Sequence, residues 1–227
     1  MIGSLFFEVE DVLASTVALR RAALSRALAE EGFASAELTE LDRDAGRGTR
    51  EVVRRALRHH AIASDETALS LIALRADRHF SALLHSGVSL VPGARELVAC
   101  AVSTCRLAIV TGLERATVES LLSLAELDGA FEVIVAAEDV ALAKPAPDGY
   151  RKALDRLQRR RPLDVRSALA LEPGAAGARA ARGAGLRCAI VAPFRAESVA
   201  DAAAMLESLV GETLVTLEAI LPLEAAG

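Results

Sequence analysis

After Ser86-Gly87 the chain alternates apolar runs of strand length with segments of helical spacing, and this alternation restricts the fold more than any other feature. Strands are expected at Leu107 to Val110, Phe131 to Ala136, Ala168 to Leu171 and Arg187 to Val191. Helices are expected after Pro92-Gly93 and at Glu114 to Leu124, Asp148 to Leu157 and Ala175 to Gly183. Such a βαβα order calls for a parallel sheet with helices on both faces. One further strand, Ile2 to Val9, stands far upstream. Between it and the alternating part, from Thr16 to about Leu84, apolar residues recur only at helical spacing, as in Val17, Leu24, Leu28, Val52, Val53 and Leu57. The lone strand belongs with the later ones, so the expectation is an α/β core of residues 1–15 and 88–227 with a helical insertion of residues 16–87. A cleft between the two is the expected ligand site.

Composition narrows the function. Hydrophobic residues make up 52% of the 227, which excludes disorder, and the formal net charge of -5 leaves no basic excess for nucleic acid. Glu8, Glu10 and Asp11 interrupt the region where a signal peptide needs an apolar stretch, and no segment approaches the roughly 18 apolar residues of a membrane span. The expectation is a soluble, cytoplasmic protein with no nucleic-acid or membrane partner. Cys100, Cys105 and Cys188 form an odd set without a CxxC pair and read as reduced thiols, mostly buried. His59, His60, His79 and His85 lack metal-ligand spacing. Arg159-Arg160-Arg161 reads as the solvated end of a helix.

In open α/β sheets ligands gather at the carboxyl ends of the strands. The residues following the apolar runs are Glu8 and Glu10; Thr111-Gly112; Glu138-Asp139 leading to Lys144-Pro145-Ala146-Pro147-Asp148; and Glu172-Pro173-Gly174. A hydroxyl, a lysine and several acids converging there suit an anionic ligand held through a divalent metal. Of the 26 basic residues only Lys144 and Lys152 are lysines, so a lysine at a strand end is not a product of composition. Its compact charge differs from the planar fork of arginine.

These residues resemble the haloacid dehalogenase superfamily, in the branch containing β-phosphoglucomutase and phosphoglycolate phosphatase-like enzymes. The resemblance covers nearly the whole chain. Phe7-Glu8-Val9-Glu10-Asp11-Val12-Leu13-Ala14-Ser15-Thr16 stands in the place of a DxDGxxxDT-like motif. Val91-Pro92-Gly93 precedes a helix, Ala108-Ile109-Val110-Thr111-Gly112 is a strand ending in a hydroxyl, and Ala136-Ala137-Glu138-Asp139-Val140 leads to Lys144-Pro145-Ala146-Pro147-Asp148. Glu172-Pro173-Gly174-Ala175-Ala176-Gly177 follows the pattern Glu-Asp-Ser-x-x-Gly. The resemblance implies a Rossmann-like core with an α-helical cap and a Mg²⁺-dependent phosphoryl transferase acting through an aspartyl-phosphate.

Carried onto this chain, the nucleophile falls at Glu8 and the acid/base at Glu10. Thr111, with Gly112, falls where the transferring phosphoryl group is bound, Lys144 where a lysine pairs with nucleophile and phosphate, and Glu172 and Pro173 on the metal-holding acidic pair. Glu8, Glu10 and Glu172 are then the metal ligands. Three of the family's aspartates are absent. An extra methylene moves a carboxylate by roughly an ångström, which can cost about 100-fold in rate. Pro173 offers no side-chain ligand, and Mg²⁺ demands near-ideal octahedral geometry, so its affinity is expected to be weakened. Asp11 stands where the family has Gly and either crowds the cleft or supplies a replacement carboxylate; the sequence leaves both open. Gly46-Arg47-Gly48-Thr49-Arg50 falls on the cap loop that sets specificity, which gives Arg47 and Arg50 a role at the distal end of a phosphorylated ligand.

The expectation is a phosphatase-like protein with a degenerate site, a pseudoenzyme that binds phosphate or a small phosphorylated molecule with little or no turnover. In that case Glu8 and Glu10 are polar residues at a strand end, satisfied by Lys144 and nearby backbone amides. The alternative is an active Mg²⁺-dependent phosphohydrolase of a small sugar phosphate or phosphoglycolate with Glu8 as nucleophile. A homodimer is the default expectation for assembly.

Overall fold

The computed structural model describes residues 1–33, 48–63, 65–192 and 200–221. Strands β1 (Ser4–Phe7), β2 (Arg106–Val110), β3 (Val133–Val135), β4 (Ala168–Glu172), β5 (Arg187–Val191) and β6 (Ala204–Leu206) form one sheet in the order β3-β2-β1-β4-β5-β6. Every pairing is parallel. The helices are α1 (Val17–Glu30), α2 (Thr49–His59), α3 (Glu66–His85), α4 (Ala94–Ala101), α5 (Arg115–Leu124), α6 (Asp148–Arg160), α7 (Ala175–Gly183) and α8 (Leu214–Glu218).

Strand β1 lies between β2 and β4, and all four of its residues are buried. Its continuous apolar run follows from burial on both faces, because a strand in the middle of a covered parallel sheet has no wet side. Successive side chains still alternate. Leu5 and Phe7 join Leu107, Ile109, Leu169 and Leu171 under α4 and α5, whereas Phe6 joins Ala108, Ala170 and Ile190 under α6 and α7. Helices α1, α2 and α3 bury a separate cluster that includes Leu24, Leu28, Val53, Leu57 and Ile72. The chain leaves the sheet and returns to it along adjacent paths: Ser15 N–H donates to Ser89 O at 2.8 Å and Val91 N–H to Leu13 O at 2.9 Å.

The observed strands start or stop within about two residues of their expected ends, but β6 and α8 have no counterpart in the sequence reading. Both are too short for periodicity to reveal: β6 has three residues and α8 five. Cys105 and Cys188 are buried and Cys100 is exposed. Among the described residues no helix is long and apolar enough to cross a membrane.

Gly93, the residue before α4, has φ +87°, and a Cβ there would lie 2.2 Å from the Leu209 carbonyl. Both the left-handed backbone and the approach of a second backbone exclude a side chain. Gly93→Ala is expected to destabilise the protein by more than about 2 kcal/mol, read as a lower urea midpoint at unchanged m-value.

Candidate active site

Parallel register sets the site. Phe7 lies opposite Ile109 on one side and Leu171 on the other, so the next residue, Glu8, comes level with the carboxyl ends of β2 and β4. The Glu8 backbone N–H still donates to Leu171 O at 3.0 Å. The Glu8 side chain is fully buried. Its Oε1 accepts from the Val9 amide at 2.7 Å, from the Glu10 amide at 3.4 Å and from the Thr111 hydroxyl; its Oε2 accepts from Lys144 Nζ at 2.6 Å.

Lys144 is the hub. Its ammonium donates to Glu8 Oε2, to Val110 O at 2.8 Å and to Glu172 Oε1, which matches the three donors it possesses. Burial alone would lower its pKa, but the charges of Glu172 and Glu8 more than offset that and hold it above the usual lysine value. Tyr150 OH also donates to Glu172 Oε1. Burial drives the Glu172 carboxyl up to about 7 against the opposing Lys144 charge. Glu172 Oε2 is buried without a hydrogen-bond partner and lies over Gly177 of α7, where a Cβ would stand 1.7 Å away. The glycine at this position leaves the room that the glutamate occupies.

Glu10 turns toward the helices. Its Oε2 pairs with Arg20 Nη1 of α1 at 2.7 Å, and both side chains are buried. Burial pushes the Glu10 carboxyl up, with Arg20 opposing. Arg20 Nη2 donates to Thr49 Oγ1 at 3.4 Å, and Thr49 Oγ1 donates to Asp77 Oδ1 at 2.5 Å. Asp11 does not line the cavity between the strand edge and helices α2 and α3. It adopts φ +56°, which Asp tolerates better than most residues, and its Oδ1 accepts from the Thr16 and Val17 amides at 3.0 and 3.4 Å at the start of α1.

A cavity of about 580 Å³ lies between this strand edge and helices α2 and α3. Thr49, Arg50 and Asp77 line one wall, and Thr111, Gly112 and Lys144 line the other. Glu8, Glu10 and Glu172 do not line it and are no more than 1% exposed. Arg50 is exposed and paired with Glu66; Arg47 lies outside the described residues. Sequence reasoning thus names the residues that meet at the strand edge, and Thr49 within the cap loop, but misses Tyr150, Arg20 and Asp77. Tyr150 is the single tyrosine of the chain and follows Lys144 by six positions. Arg20 and Asp77 each interrupt the apolar stripe of a helix, which is the signal that could have found them.

The donors do not fit the Mg²⁺ that the resemblance implies. Both Glu8 oxygens and Glu172 Oε1 are bound to Thr111, Lys144 or Tyr150, Glu10 holds Arg20, and Pro173 has no side-chain oxygen. Among the described residues no group of three or more His, Cys, Asp or Glu side chains is placed to hold a metal ion.

Gly177→Ala is expected to destabilise the fold by about 2 kcal/mol or more, because Glu172 must be displaced, whereas Gly174→Ala, with open space around its Cβ, costs less than about 1 kcal/mol. Equilibrium unfolding of the two variants checks this. Asp77 gives a pH prediction. Burial raises its pKa from 3.8 to about 6, with Thr49 opposing and Glu114 adding. The folded state therefore holds the proton more tightly than the unfolded state, and this stability is lost as pH rises from about 4 through about 6. Asp77→Asn is expected to escape the loss and to gain on wild type by an amount on the order of 2 kcal/mol between pH 4 and 7, measured by urea unfolding.

Comparison with known proteins identifies the family and the fold. The family model for haloacid dehalogenase-like hydrolases matches residues 5–185. Protein CbbY of Cereibacter sphaeroides is 36% identical over 221 residues, 92% of this chain and 93% of that protein. The crystal structure of CbbY from Rhodobacter sphaeroides in complex with phosphate is 33% identical with a TM-score of 0.80, covering 96% of this chain and 100% of that one. A mutant of that CbbY in complex with xylulose-(1,5)bisphosphate matches at 33% identity and TM-score 0.80, covering 98% and 100%. The β-phosphoglucomutase of Clostridium difficile, at 16% identity, 97% coverage of each chain and TM-score 0.85, shares the fold. The chain belongs to the haloacid dehalogenase-like hydrolase family, as a phosphatase-like member similar to CbbY.

Proposed function

We propose that this protein binds a small phosphorylated molecule in the cavity and hydrolyses it slowly or not at all, residues 16–87 acting as the cap over a core of residues 1–15 and 88–227. The observation that carries the reading is the state of the Glu8 carboxylate. Attack on phosphorus needs a carboxylate oxygen with a free lone pair about 3–3.5 Å from the reacting atom. Glu8 has no exposed surface, and its oxygens are held by the Val9 amide, Thr111 and Lys144. Those last two are the groups that the resemblance assigns to the phosphoryl group, so the carboxylate stands where substrate would take its hydrogen bonds. Glu10 is equally withdrawn: an acid/base must exchange a proton with the leaving group, and this one is buried against Arg20.

A phosphorylated ligand is supported by the two CbbY complexes, one with phosphate and one with xylulose-(1,5)bisphosphate. With Thr111 and Lys144 engaged, the groups nearest its phosphate are Gly112, the amino terminus of α2, where Gly48 and Thr49 also reach the cavity, and Arg50, whose exposed pair with Glu66 would have to open or be shared. Arg47 keeps its role at the distal end of the ligand on the strength of the sequence alone.

With Mg²⁺ present, a panel of phosphoglycolate, sugar phosphates and a sugar bisphosphate is expected to show no turnover above the Glu8→Ala variant purified identically. Turnover that disappears in Glu8→Ala would sink the reading and establish the glutamate as a nucleophile. The triple variant Glu8→Asp, Glu10→Asp, Pro173→Asp is expected to gain activity that the parent lacks.

A further inference from the structure

We propose that Lys144 and Arg20 are the resident cations of this site and take the place of a divalent metal, so that the protein folds and binds ligands independently of Mg²⁺. The inference rests on the same inward turn of Glu8 as the proposed loss of turnover, but it concerns the cation and not the reaction. Glu8 and Glu172 meet at the ends of β1 and β4 while Glu10 turns to α1, and buried carboxylates require compensation wherever they are ionised. The chain supplies it internally. Lys144 Nζ sits between Glu8 and Glu172, and Arg20 Nη1 sits 2.7 Å from Glu10.

A magnesium ion asks for six oxygens at about 2.0–2.1 Å in octahedral array. Glu172 Oε2 is the one carboxylate oxygen of Glu8 and Glu172 without a partner, and it lies against Gly177 of α7. The next residue, Pro173, has no side-chain oxygen to add. Of the Glu8 and Glu172 oxygens only Glu172 Oε2 is left unpaired, fewer than a magnesium site requires.

The test is a Mn²⁺ titration followed by electron paramagnetic resonance, with thermal unfolding in Mg²⁺ and in EDTA. Wild type is expected to take up no Mn²⁺ at millimolar concentration and to melt at the same temperature in both buffers. A site loaded a hundredfold above its dissociation constant would instead raise the midpoint by about 5–10 °C in a protein of this size. Lys144→Ala, which frees oxygens of Glu8 and Glu172, is expected to bind Mn²⁺ and to recover part of its lost midpoint in divalent salt. Uptake of Mn²⁺ by wild type overturns the proposal, as does a folded Lys144→Ala protein that takes up none. Should that variant not fold, the wild-type titration decides alone. Metal uptake without phosphoester turnover would overturn this inference and spare the functional reading; turnover in EDTA would do the reverse.

Discussion

A single buried ammonium organises the functional end of this protein. The three hydrogens of Lys144 go to the ends of three adjacent strands: Glu8 after β1, the Val110 carbonyl of β2 and Glu172 of β4. A charge removed from water costs several kcal/mol unless its partners are well placed, and breaking such a pair by removing one side costs about 3–5 kcal/mol. The parallel register is what places them, because it sets Glu8 level with its neighbours on both sides. The sheet and the cluster are thus one device. A shift of register would leave the ammonium without its carboxylates, and loss of the ammonium would leave two buried acids facing each other.

Side-chain length explains why the acids face inward. A glutamate at position 8 has the reach to curl back onto the amide of Val9 while still meeting Thr111 and Lys144. At position 10 the added length carries the carboxylate to Arg20 on α1. Each acid has found its own partners in the interior, and solvent reaches none of them. The one carboxylate oxygen left over, Glu172 Oε2, is accommodated by the missing side chain of Gly177. The carboxylates occupy donors, Thr111 and Lys144, for which an incoming anion would have to compete. The internal partners are covalently attached and already oriented, so they forgo the entropy loss that a free ligand must meet.

Much of the fold is legible in the sequence because its strands are buried on both faces and therefore read as unbroken apolar runs: Leu-Phe-Phe in β1, Leu-Ala-Ile-Val in β2, Ala-Leu-Ala-Leu in β4. The edge strand β6, three residues and half exposed, carries no such signature. At the site, the rule that ligands gather at strand ends finds Glu8, Thr111, Lys144 and Glu172, and the structure brings all four together. What the sequence does not carry is direction. Whether Glu8 faces the cavity or the interior is decided by partners 103 and 136 residues away, and no local pattern encodes them. Arg20 and Asp77 were hidden for a related reason: on a helix whose neighbours are apolar, one charged residue reads as an interruption until its partner on another element is known.

That second set of partners gives the cavity a different character from its floor. From the end of β1 a chain of hydrogen bonds runs Glu10, Arg20, Thr49, Asp77, linking the loop after β1 to the helical wall. Thr49 donates its only hydroxyl proton to Asp77 while accepting from Arg20, so the charge at each end polarises the bonds between. Thr49 and Asp77 are the members that line the cavity. A group in the cavity that competes for Asp77 therefore acts on Thr49 and, through Arg20, on Glu10. The cavity wall is thus linked to the strand end even though the carboxylates there are closed to solvent. The core and the helical layer are joined at the site by this polar chain, and elsewhere by the apolar contacts of Ala23, Phe80 and Leu84 with the core. Apolar contacts tolerate small sliding motions, whereas a chain of directional bonds fixes one arrangement, so the polar chain sets how the helices stand over the cavity.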